Sequence, residues 1–392
     1  MVKTNHLVYL CHVVDERTKS ERAISSDSPA AANKVVGLCN ALRSVNVRCT
    51  ILSSGRGRQN GSGTCHSPVT RRHRGVPSVN ARFLHLPFLT HFVTMLSLAA
   101  LIVVLLRKYP GARVLAYNRS YHYLVALVIA RFMGAVVFLD LEDGYINQTK
   151  GSLRYLKNSV TRKIFDYLCQ GGSLLASSAL RNQVGESRTL VCYGVASGQC
   201  VPLQDWSAAK ISILFGGTLI EEVGPQLLLD ALEILLTTRS SINSEMEVIV
   251  TGKGPWESHF SDFAQKNPEL LKFCKNLTYS SYGEVLRKCH VGLSLRLAEF
   301  EMGMTTFPSK VLEYACNGLL IVSTQSSDVP LLMGQAAIYL EKETAGGLAE
   351  LLAFIFYGRR NLQALAKIGH ARVLDQCNQI SVGSVVSEFL FE

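Results

Sequence analysis

The segment Phe307-Pro-Ser-Lys-Val-Leu-Glu-Tyr-Ala-Cys-Asn-Gly318, followed directly by the apolar run 319–323, decides the fold class of this chain. Pro308 presets the turn into a helix, which we expect to run over residues 309–316. Gly318 ends that helix, because glycine readily adopts the left-handed conformation found at helix C-termini. The apolar run predicts a buried strand, so the segment is one helix-strand unit of an α/β sheet.

Units of the same kind precede this segment along the chain. In the first half, strands are predicted at residues 6–14, 47–53, 114–117 and 135–139, and helices at 30–44, 92–108 and 121–133. The second half restarts the pattern with strands at 211–215, 247–250 and 291–295 and a helix at 223–236. This alternation predicts, in each half, a doubly wound parallel sheet with helices on both faces.

The length of 392 residues favours two domains, because single hydrophobic cores stop growing at about 250–300 residues. The sequence contains no internal repeat and no heptad run. Residues 196–210 lose the periodic pattern and form the predicted linker. We therefore expect a Rossmann-like domain over residues 1–200, a second one over 208–375, and a helical tail, 376–392, that packs back on the first domain.

The cysteines and the first residues favour a cytoplasmic protein. The eleven cysteines are odd in number and lie singly, without a C-x-x-C pair, which argues against a disulfide framework or a zinc site. Residues 1–14 contain one lysine and an apolar run interrupted by His6, Tyr9 and His12, with no small-residue cleavage site. They do not have the pattern of a signal peptide. We expect reduced thiols and a cytoplasmic location, peripheral on the inner face of the membrane if the lipid contact considered below exists.

The chain is basic, with a formal net charge of +10 and an isoelectric point near 9.1, which predicts an anionic partner. The densest cluster consists of Arg56, Arg58, Arg71, Arg72 and Arg74. Glycine, serine and proline separate these arginines instead of aromatic residues, so we expect no nucleic acid recognition by base stacking. The cluster is interpreted as a solvated loop, with a contact to anionic lipid or polymer as the alternative.

The predominantly apolar stretch 92–106 is shorter than the roughly 20 residues that span a bilayer. The favoured interpretation is a buried helix that ends at Tyr109-Pro110-Gly111. A segment that lies in the membrane interface is the alternative. Together with the net charge, this stretch is the basis for expecting a peripheral contact with an anionic membrane.

Ligands of open α/β sheets bind at the carboxyl ends of the strands, so the loops after strands hold the candidate site residues. In the second half, Gly216, Gly217 and Thr218 follow one predicted strand, and Gly252 follows another. Both loops could bring backbone N–H groups close to a phosphate. The second loop also has Lys253 but lacks the full spacing of a P-loop. A plain tight turn is the alternative for the first loop.

The third loop leads into the helix that starts at Ser309. Ser309 and Lys310 lie in its first turn, and Glu313 follows on the same face. Free N–H groups, a hydroxyl and an ammonium at the positive end of a helix suit a diphosphate, and Glu313 could hold a ribose diol. Alternatively, Ser309 caps the helix, and Lys310 and Glu313 form a surface pair.

The run from Phe307 to the strand 319–323 resembles the Pro-Ser-Lys-x-x-Glu-Tyr version of the donor-site motif of family 4 glycosyltransferases, many of which build bacterial capsule, O-antigen and exopolysaccharide. The elements at 213–236 and 247–254 stand in the order that this family uses. The resemblance covers roughly residues 211–340 and is only architectural over the first 200. It implies the GT-B fold, in which two Rossmann-like domains face a cleft. It also implies a retaining transfer of a hexosyl group from a UDP- or GDP-sugar to a glycan or polyprenyl-linked acceptor, without a cofactor or an obligatory metal.

The sequence departs from the family pattern at charged positions. Many members have an acidic residue where this chain has Thr305, and a phosphate-binding arginine and lysine where it has Thr218 and Val223. Lys310, Arg296 and the helix start would then have to neutralise the diphosphate. Arg296 follows the predicted strand 291–295, and an exposed loop arginine is the alternative for it.

In the first half, a hydrophobic strand runs into Asp140, Glu142 and Asp143. This position is similar to that of the acceptor-facing loop of GT-B enzymes, which implies that Glu142 or Asp143 orients or deprotonates an acceptor hydroxyl. A metal-binding acidic cluster, as in the GT-A fold, is the rival interpretation. We disfavour it because the donor-like motif lies about 170 residues later. Capping of a turn or helix is the structural alternative.

Two functions of other classes stay open. A GT-B sugar-nucleotide 2-epimerase would convert the donor without any acceptor. A non-catalytic sugar-nucleotide-binding scaffold would account for the missing positive charges at Thr218 and Val223.

Overall fold

The computed structural model describes residues 5–24, 28–57, 64–86, 89–144, 153–196, 204–239 and 241–392. The chain forms two compact units, one comprising Met1–Val195 with Gln379–Glu392 and the other Ala196–Asn378. The sequence analysis ends the first domain at residue 200, starts the second at 208 and starts the tail at 376, whereas the units divide after Val195 and after Asn378. Residues 197–203 of the predicted linker lie outside the described residues.

The first unit is built on an eight-stranded sheet. Its strands and a separate strand pair are β1 (His6–Cys11), β2 (Arg48–Ser53), β3 (Cys65–His66), β4 (Val69–His73), β5 (Val76–Asn80), β6 (Phe83–Leu84), β7 (Arg113–Tyr117), β8 (Val137–Leu141), β9 (Gly172–Leu175) and β10 (Thr189–Val191). The sheet order is β10-β9-β8-β7-β1-β2-β5-β4, parallel except for β4, which is antiparallel to β5. β3 and β6 form the separate antiparallel pair.

Helices cover both faces of this sheet. They are α1 (Glu16–Glu21), α2 (Pro29–Ser44), α3 (Leu89–Lys108), α4 (Leu124–Phe132) and α5 (Leu153–Leu168), with one more helix from the end of the chain. Side chains of β1 alternate between two cores: Val8 and Leu10 pack with α3, α4 and α5, whereas Leu7 and Tyr9 pack with α2 and residues 382–390.

The second unit has a six-stranded, fully parallel sheet. Its strands are β11 (Ile211–Thr218), β12 (Met246–Lys253), β13 (Leu271–Cys274), β14 (Val291–Ser294), β15 (Leu320–Thr324) and β16 (Ala337–Leu340). Its helices are α6 (Pro225–Thr238), α7 (Ile242–Glu245), α8 (Glu257–Lys266), α9 (Tyr279–Lys288), α10 (Glu301–Thr305), α11 (Ser309–Cys316), α12 (Val329–Met333) and α13 (Ala345–Cys377), and α14 (Gln379–Phe391) then returns to the first unit.

The strand order of the second sheet is β13-β12-β11-β14-β15-β16. The chain moves outward from β11 through β12 to β13 and then crosses back to β14, so the direction of winding reverses between β11 and β14. Such a switch point opens a crevice at the carboxyl ends of the two strands, where doubly wound sheets bind their ligands. The predicted alternation is therefore confirmed, and it places the candidate site beside the ends of β11 and β14.

One interpretation from the sequence is wrong, and a second holds for only one side of a helix. The basic segment is not a plain loop, because Arg71 and Arg72 lie on β4, and Arg71 binds both carboxylate oxygens of Glu21 at 2.9 and 2.8 Å. Arg58 lies outside the described residues. The apolar helix α3 is not buried all round, since Phe92 and Val104 are 58% and 59% exposed. Among the described helices, α3 is the one long and apolar enough to cross a membrane by length and composition alone.

Candidate donor-binding site

The glycines predicted to bind phosphate lie where β11 and β12 end side by side, with Gly216 opposite Thr251 and Gly217 opposite Gly252. A Cβ on Gly252 would lie 1.8 Å from the carbonyl oxygen of Gly217, and the φ of Gly252 is +138°. Glycine is therefore required there by the contact between the two strands. Thr218 is the exposed last residue of β11, not part of a turn into a helix.

Gly217 has a similar φ of +139° but a different neighbourhood. A Cβ there would find one neighbour within 4 Å, the Cε atom of Lys310 at 3.9 Å. The backbone of Gly217 consequently lies open beside the Lys310 side chain. Gly216 is more enclosed, because a Cβ would come within 2.7 Å of the Thr251 hydroxyl and 3.2 Å of the Tyr314 hydroxyl.

Helix α11 has the bounds predicted from the sequence. Pro308 is its N-cap residue and provides no side-chain cap hydrogen bond to the first turn. Ser309 is exposed in the first turn, so the alternative that it caps the helix is wrong. The N–H groups of the first turn carry the positive end of the helix dipole, which favours an anion. At the other end, Gly318 has a φ of +77°, as expected of a residue that closes a helix.

Lys310 and Glu313 form a compact cluster with a tyrosine from α9. The Lys310 Nζ lies 2.5 Å from Glu313 Oε2, and the Tyr282 hydroxyl donates to the same carboxylate oxygen at 2.8 Å. The Lys310 ammonium also donates to the Tyr282 oxygen at 3.0 Å and lies 4.7 Å from the centre of its ring. Burial, with Tyr314 and Glu313 nearby, raises the pKa of Tyr282, so its phenol remains a donor at neutral pH.

Tyr314, the tyrosine of the motif, fixes α11 on the sheet. It is buried, and its hydroxyl donates to the carbonyl of Gly216 at 3.4 Å. A Cβ on Gly292 of β14 would lie 2.3 Å from its ring, so the ring rests directly on that strand. The tyrosine thereby holds α11 against β14 and against the end of β11.

Arg296 lies two residues after β14. Its guanidinium donates to the carbonyl of Thr306 at 3.4 Å, and its own carbonyl accepts from Thr324 Oγ1 at 2.5 Å. The turn that contains Val223 packs next to it, because the N–H of Leu297 donates to the carbonyl of Glu222 at 3.0 Å. Arg296 therefore lies beside the turn where the family pattern has a lysine.

In the first unit, the acidic residues after β8 are not equivalent. Asp140 is fully buried, accepts a hydrogen bond from the Tyr9 hydroxyl and lies 2.8 Å from Lys34 Nζ. The same ammonium pairs with Glu142. Burial opposes the charge on Lys34, but the two carboxylates raise its pKa well above the usual value. Burial raises the pKa of Glu142, although Lys34 acts against this shift.

Asp143 is exposed at the end of this segment. Asn118 organises the turn: its amide oxygen accepts from the backbone N–H of Asp143 at 3.2 Å, and its amide nitrogen donates to the Asp143 carboxylate at 2.9 Å. Asp140 and Glu142 are thus occupied by an ion-pair network inside the unit, whereas Asp143 faces solvent. The acceptor role predicted for Glu142 and Asp143 stays a prediction.

Tyr282 is the site residue that sequence reasoning missed. Its segment, α9, was not among the predicted elements, and it lies 31 residues before Glu313. A periodicity signal existed, since α9 is amphipathic and Thr278 caps it by accepting from the N–H of Ser281 at 3.1 Å. Such a signal would have found the helix but not the contact.

Comparisons with known proteins agree with this architecture. Residues 210–356 match the family model described as "Glycosyl transferases group 1". The solved structure of Anabaena Alr3699/HepE in complex with UDP has a TM-score of 0.69 at 13% identity and covers 98% of this chain and 99% of its own. A glycosyltransferase from Rickettsia africae has a TM-score of 0.63 at 13% identity, covering 99% and 98%. The comparison with curated proteins gave no match.

An α,α-trehalose-phosphate synthase (UDP-forming) from Burkholderia vietnamiensis is similar to the same extent, with a TM-score of 0.65, 12% identity and coverage of 99% of this chain and 98% of its own. At such identities the likeness concerns the fold. The matched family segment, however, contains the whole Lys310, Glu313 and Tyr282 cluster. The chain therefore has the GT-B fold, and its second unit matches the sequence pattern of group 1 glycosyl transferases.

Proposed function

We propose that this protein is a glycosyltransferase that moves a hexosyl group from a UDP- or GDP-sugar to a glycan or polyprenyl-linked acceptor. The observation that carries the proposal is the cluster of Lys310, Glu313 and Tyr282 beside Gly217, at the switch point of a sheet whose segment matches group 1 glycosyl transferases. Of the similar structures, the HepE structure is described as a complex with UDP and the trehalose-phosphate synthase as UDP-forming, which makes uracil the first donor base to test.

We infer that Lys310 and Glu313 bind different parts of the donor. Lys310 is 30% and Glu313 27% exposed, and an ion pair so open to water contributes at most about 1 kcal/mol. A diphosphate carries more negative charge than one carboxylate, and a hydrogen bond to a charged group contributes about 1.5–3 kcal/mol. The ammonium therefore turns from Glu313 to the diphosphate. Tyr282 keeps its hydrogen bond to Glu313 and so orients the carboxylate toward a ribose diol.

Catalysis would then consist of stabilising the diphosphate as it leaves. The α11 N–H groups, Lys310 and Arg296 supply positive charge where the charge develops. Arg296 supplies the positive charge that a lysine at the position of Val223 supplies in the family pattern, since it lies beside the same turn. Retention of the anomeric configuration is proposed from the family resemblance.

For the acceptor side we propose Asp143 as the group that orients the hydroxyl, because it is exposed, while Glu142 is paired with Lys34. That ion pair also favours a reaction without a metal at this cluster, since the Lys34 ammonium already pairs with both carboxylates, Asp140 and Glu142, that a cation would need. We place the enzyme in the cytoplasm, at the inner face of the membrane, in the synthesis of cell-surface polysaccharide.

A binding experiment tests the donor site. Isothermal titration with UDP and GDP compares the wild type with Lys310→Met, which we expect to weaken the preferred nucleotide by about ten- to hundredfold. The matched control is Lys272→Met, which removes another lysine of the same unit that is ion-paired with a glutamate, Glu247. Equal affinities of wild type and Lys310→Met would refute the assignment.

Product analysis then separates the functional classes. The wild type is incubated with radiolabelled UDP-glucose, with and without a pool of polyprenyl-phosphate and oligosaccharide acceptors. Acceptor-dependent release of UDP supports the transferase. Isomerised nucleotide sugar in the absence of acceptor would identify an epimerase, and tight nucleotide binding without turnover a scaffold.

A further inference from the structure

Helix α3 is apolar on two opposite sides. Its inner side is part of the core, where Leu98 and Ile102 are fully buried. Its outer side exposes Leu89, Phe92, Leu96 and Val104 by 49–59%. These four positions are three, four and eight residues apart, so they form one line of about 22 Å along the helix. A helix that is apolar all round is expected to be buried on every side, whereas α3 is buried on one side only.

The helices next to α3 extend this surface. α3 packs against α4, and α4 packs against α5, in one layer on the same face of the sheet. The outer side of that layer exposes further large apolar side chains, namely Val128, Phe132, Met133, Val160, Ile164 and Tyr167. Phe132 alone is 87% exposed. Apolar patches of this extent on soluble monomers mark interaction sites, and we call this one the apolar face.

The charge of the chain is distributed unevenly between its units. The first unit has 25 Lys and Arg against 11 Asp and Glu, a formal charge of +14, whereas the second has 15 against 19, a charge of −4. Between Asp27 and Asp140 there are fourteen basic residues and no acidic one. This stretch includes α3 and α4. A positive surface attracts anionic partners, and the whole excess lies on the unit that carries the apolar face.

Basic side chains also border the apolar face directly. Arg107 and Lys108 are exposed at the end of the α3 line, and Lys163 is exposed on α5 between Val160 and Tyr167. Apolar side chains flanked by lysine and arginine are the pattern of helices that lie in a membrane interface. Anionic headgroups would pair with the basic side chains while the apolar ones enter the acyl region.

We propose that the apolar face is a docking surface for an anionic lipid bilayer, with α3 lying in the plane of the interface. The helix does not span the membrane, because its inner side is the core of the first unit. A second copy of the chain is disfavoured as the occupant, because two surfaces of the same strong positive charge repel each other. The inference is independent of the proposed transferase activity, since lipid binding is measured without substrate.

Liposome flotation tests the proposal on the full chain. Vesicles of phosphatidylcholine with 30 mol% phosphatidylglycerol should bind the wild type, and binding should fall severalfold when salt is raised from about 0.05 to 0.5 M. The variant Phe92→Ser, Leu96→Ser, Phe132→Ser should lower the partition coefficient by more than about tenfold. Each methylene-sized group withdrawn from the bilayer changes this coefficient by about fourfold. Arg107→Gln with Lys108→Gln should weaken binding and flatten its salt dependence.

The matched control is Ile380→Ser with Val385→Ser, two exposed apolar positions on α14, which packs on the opposite face of the sheet. It should bind vesicles like the wild type. Circular dichroism and melting temperature verify that each variant is folded. The proposal is overturned if the wild type does not float with anionic vesicles, or if the folded apolar-face variant floats as well as the wild type. It is also overturned if gel filtration shows a dimer that this variant dissociates without any loss of flotation.

Discussion

Replacing Glu313 with Gln removes the carboxylate that pairs with Lys310 and keeps a side chain of almost the same size. If Lys310 binds the diphosphate and Glu313 the ribose, this change should act in opposite directions on two parts of the donor. Inorganic pyrophosphate no longer competes with the carboxylate for Lys310. UDP gains from the same release but loses the charged acceptor of its ribose hydroxyls.

The contacts set the size of each effect. The Lys310–Glu313 pair is more than a quarter exposed on both sides, so its loss frees at most about 1 kcal/mol, and pyrophosphate should bind up to about fivefold more tightly. Hydrogen bonds to a charged carboxylate contribute about 1.5–3 kcal/mol each. Uridine should therefore bind about ten- to hundredfold more weakly. UDP recovers up to about fivefold at Lys310, so it should bind about two- to twentyfold more weakly. Lys310→Met should weaken UDP and pyrophosphate by at least about tenfold and leave uridine unchanged.

Isothermal titration of UDP, pyrophosphate and uridine against the wild type, the two variants and the Lys272→Met control measures all twelve affinities. The opposite responses of pyrophosphate and UDP to Glu313→Gln are the decisive result. If both ligands weaken equally, Glu313 serves only to hold Lys310 in place. If Lys310→Met leaves pyrophosphate binding unchanged, the diphosphate is bound elsewhere.

Three further predictions concern the stability of the two units. Gly252→Ala should lower the free energy of unfolding by more than about 3 kcal/mol, because a Cβ would meet a carbonyl oxygen at 1.8 Å. Gly217→Ala has a similar φ but open space around the Cβ, so it should lower this free energy by only about 1–2 kcal/mol. Denaturant titrations measure both values, and equal losses would contradict the reasoning. Lys34→Met leaves the buried Asp140 and the partly buried Glu142 without a counter-charge, so we expect a loss of about 3–5 kcal/mol at pH 7. This loss should lessen as the pH falls and one of the two carboxylates takes up a proton, and a melting temperature independent of pH would argue against the network. Burial, with Arg48 and Lys108 nearby, lowers the pKa of His6 to about 4, so between pH 6.5 and 4 the unfolded chain binds a proton that the folded chain does not. The free energy of unfolding of the wild type should therefore fall by about 2 kcal/mol from pH 7 to pH 5, relative to that of His6→Asn. Parallel pH profiles of the two proteins would show that His6 is not the titrating group.

The elements that the sequence predicted are those whose ends are marked by proline, glycine or other turn residues. Helix α11 has its predicted bounds because Pro308 and Gly318 restrict the backbone on either side of it. Strands β7 and β8 are apolar runs closed by turn residues. The element β4, with the sequence Val-Thr-Arg-Arg-His, escaped prediction because arginine is not a typical strand residue, and its pairing with β5 at the sheet edge is what makes it a strand.

The site was predictable in its local part only. The loop before α11 and the side chains of Lys310 and Glu313 belong to one continuous segment, so the helix geometry alone places them on the same face. Tyr282 comes from another element, and only the packing of α9 against α11 brings its hydroxyl to Glu313. The exposure of α3 was unpredictable for a related reason, since a helix that is apolar on all sides gives no sign of which side meets the sheet.

The return of α14 to the first unit affects how the chain can fold as it is made. Val382, Val386 and Leu390 are buried against α2, and Gly383 approaches so closely that a Cβ would lie 2.1 Å from the carbonyl oxygen of Ala41. Domains usually fold in order during synthesis, the N-terminal one first. Here the first unit cannot complete its core until residues 379–391 have left the ribosome, after the entire second unit. The earlier-made half of the protein is thus the later one to reach its native state, and α2 remains open to chaperones throughout elongation.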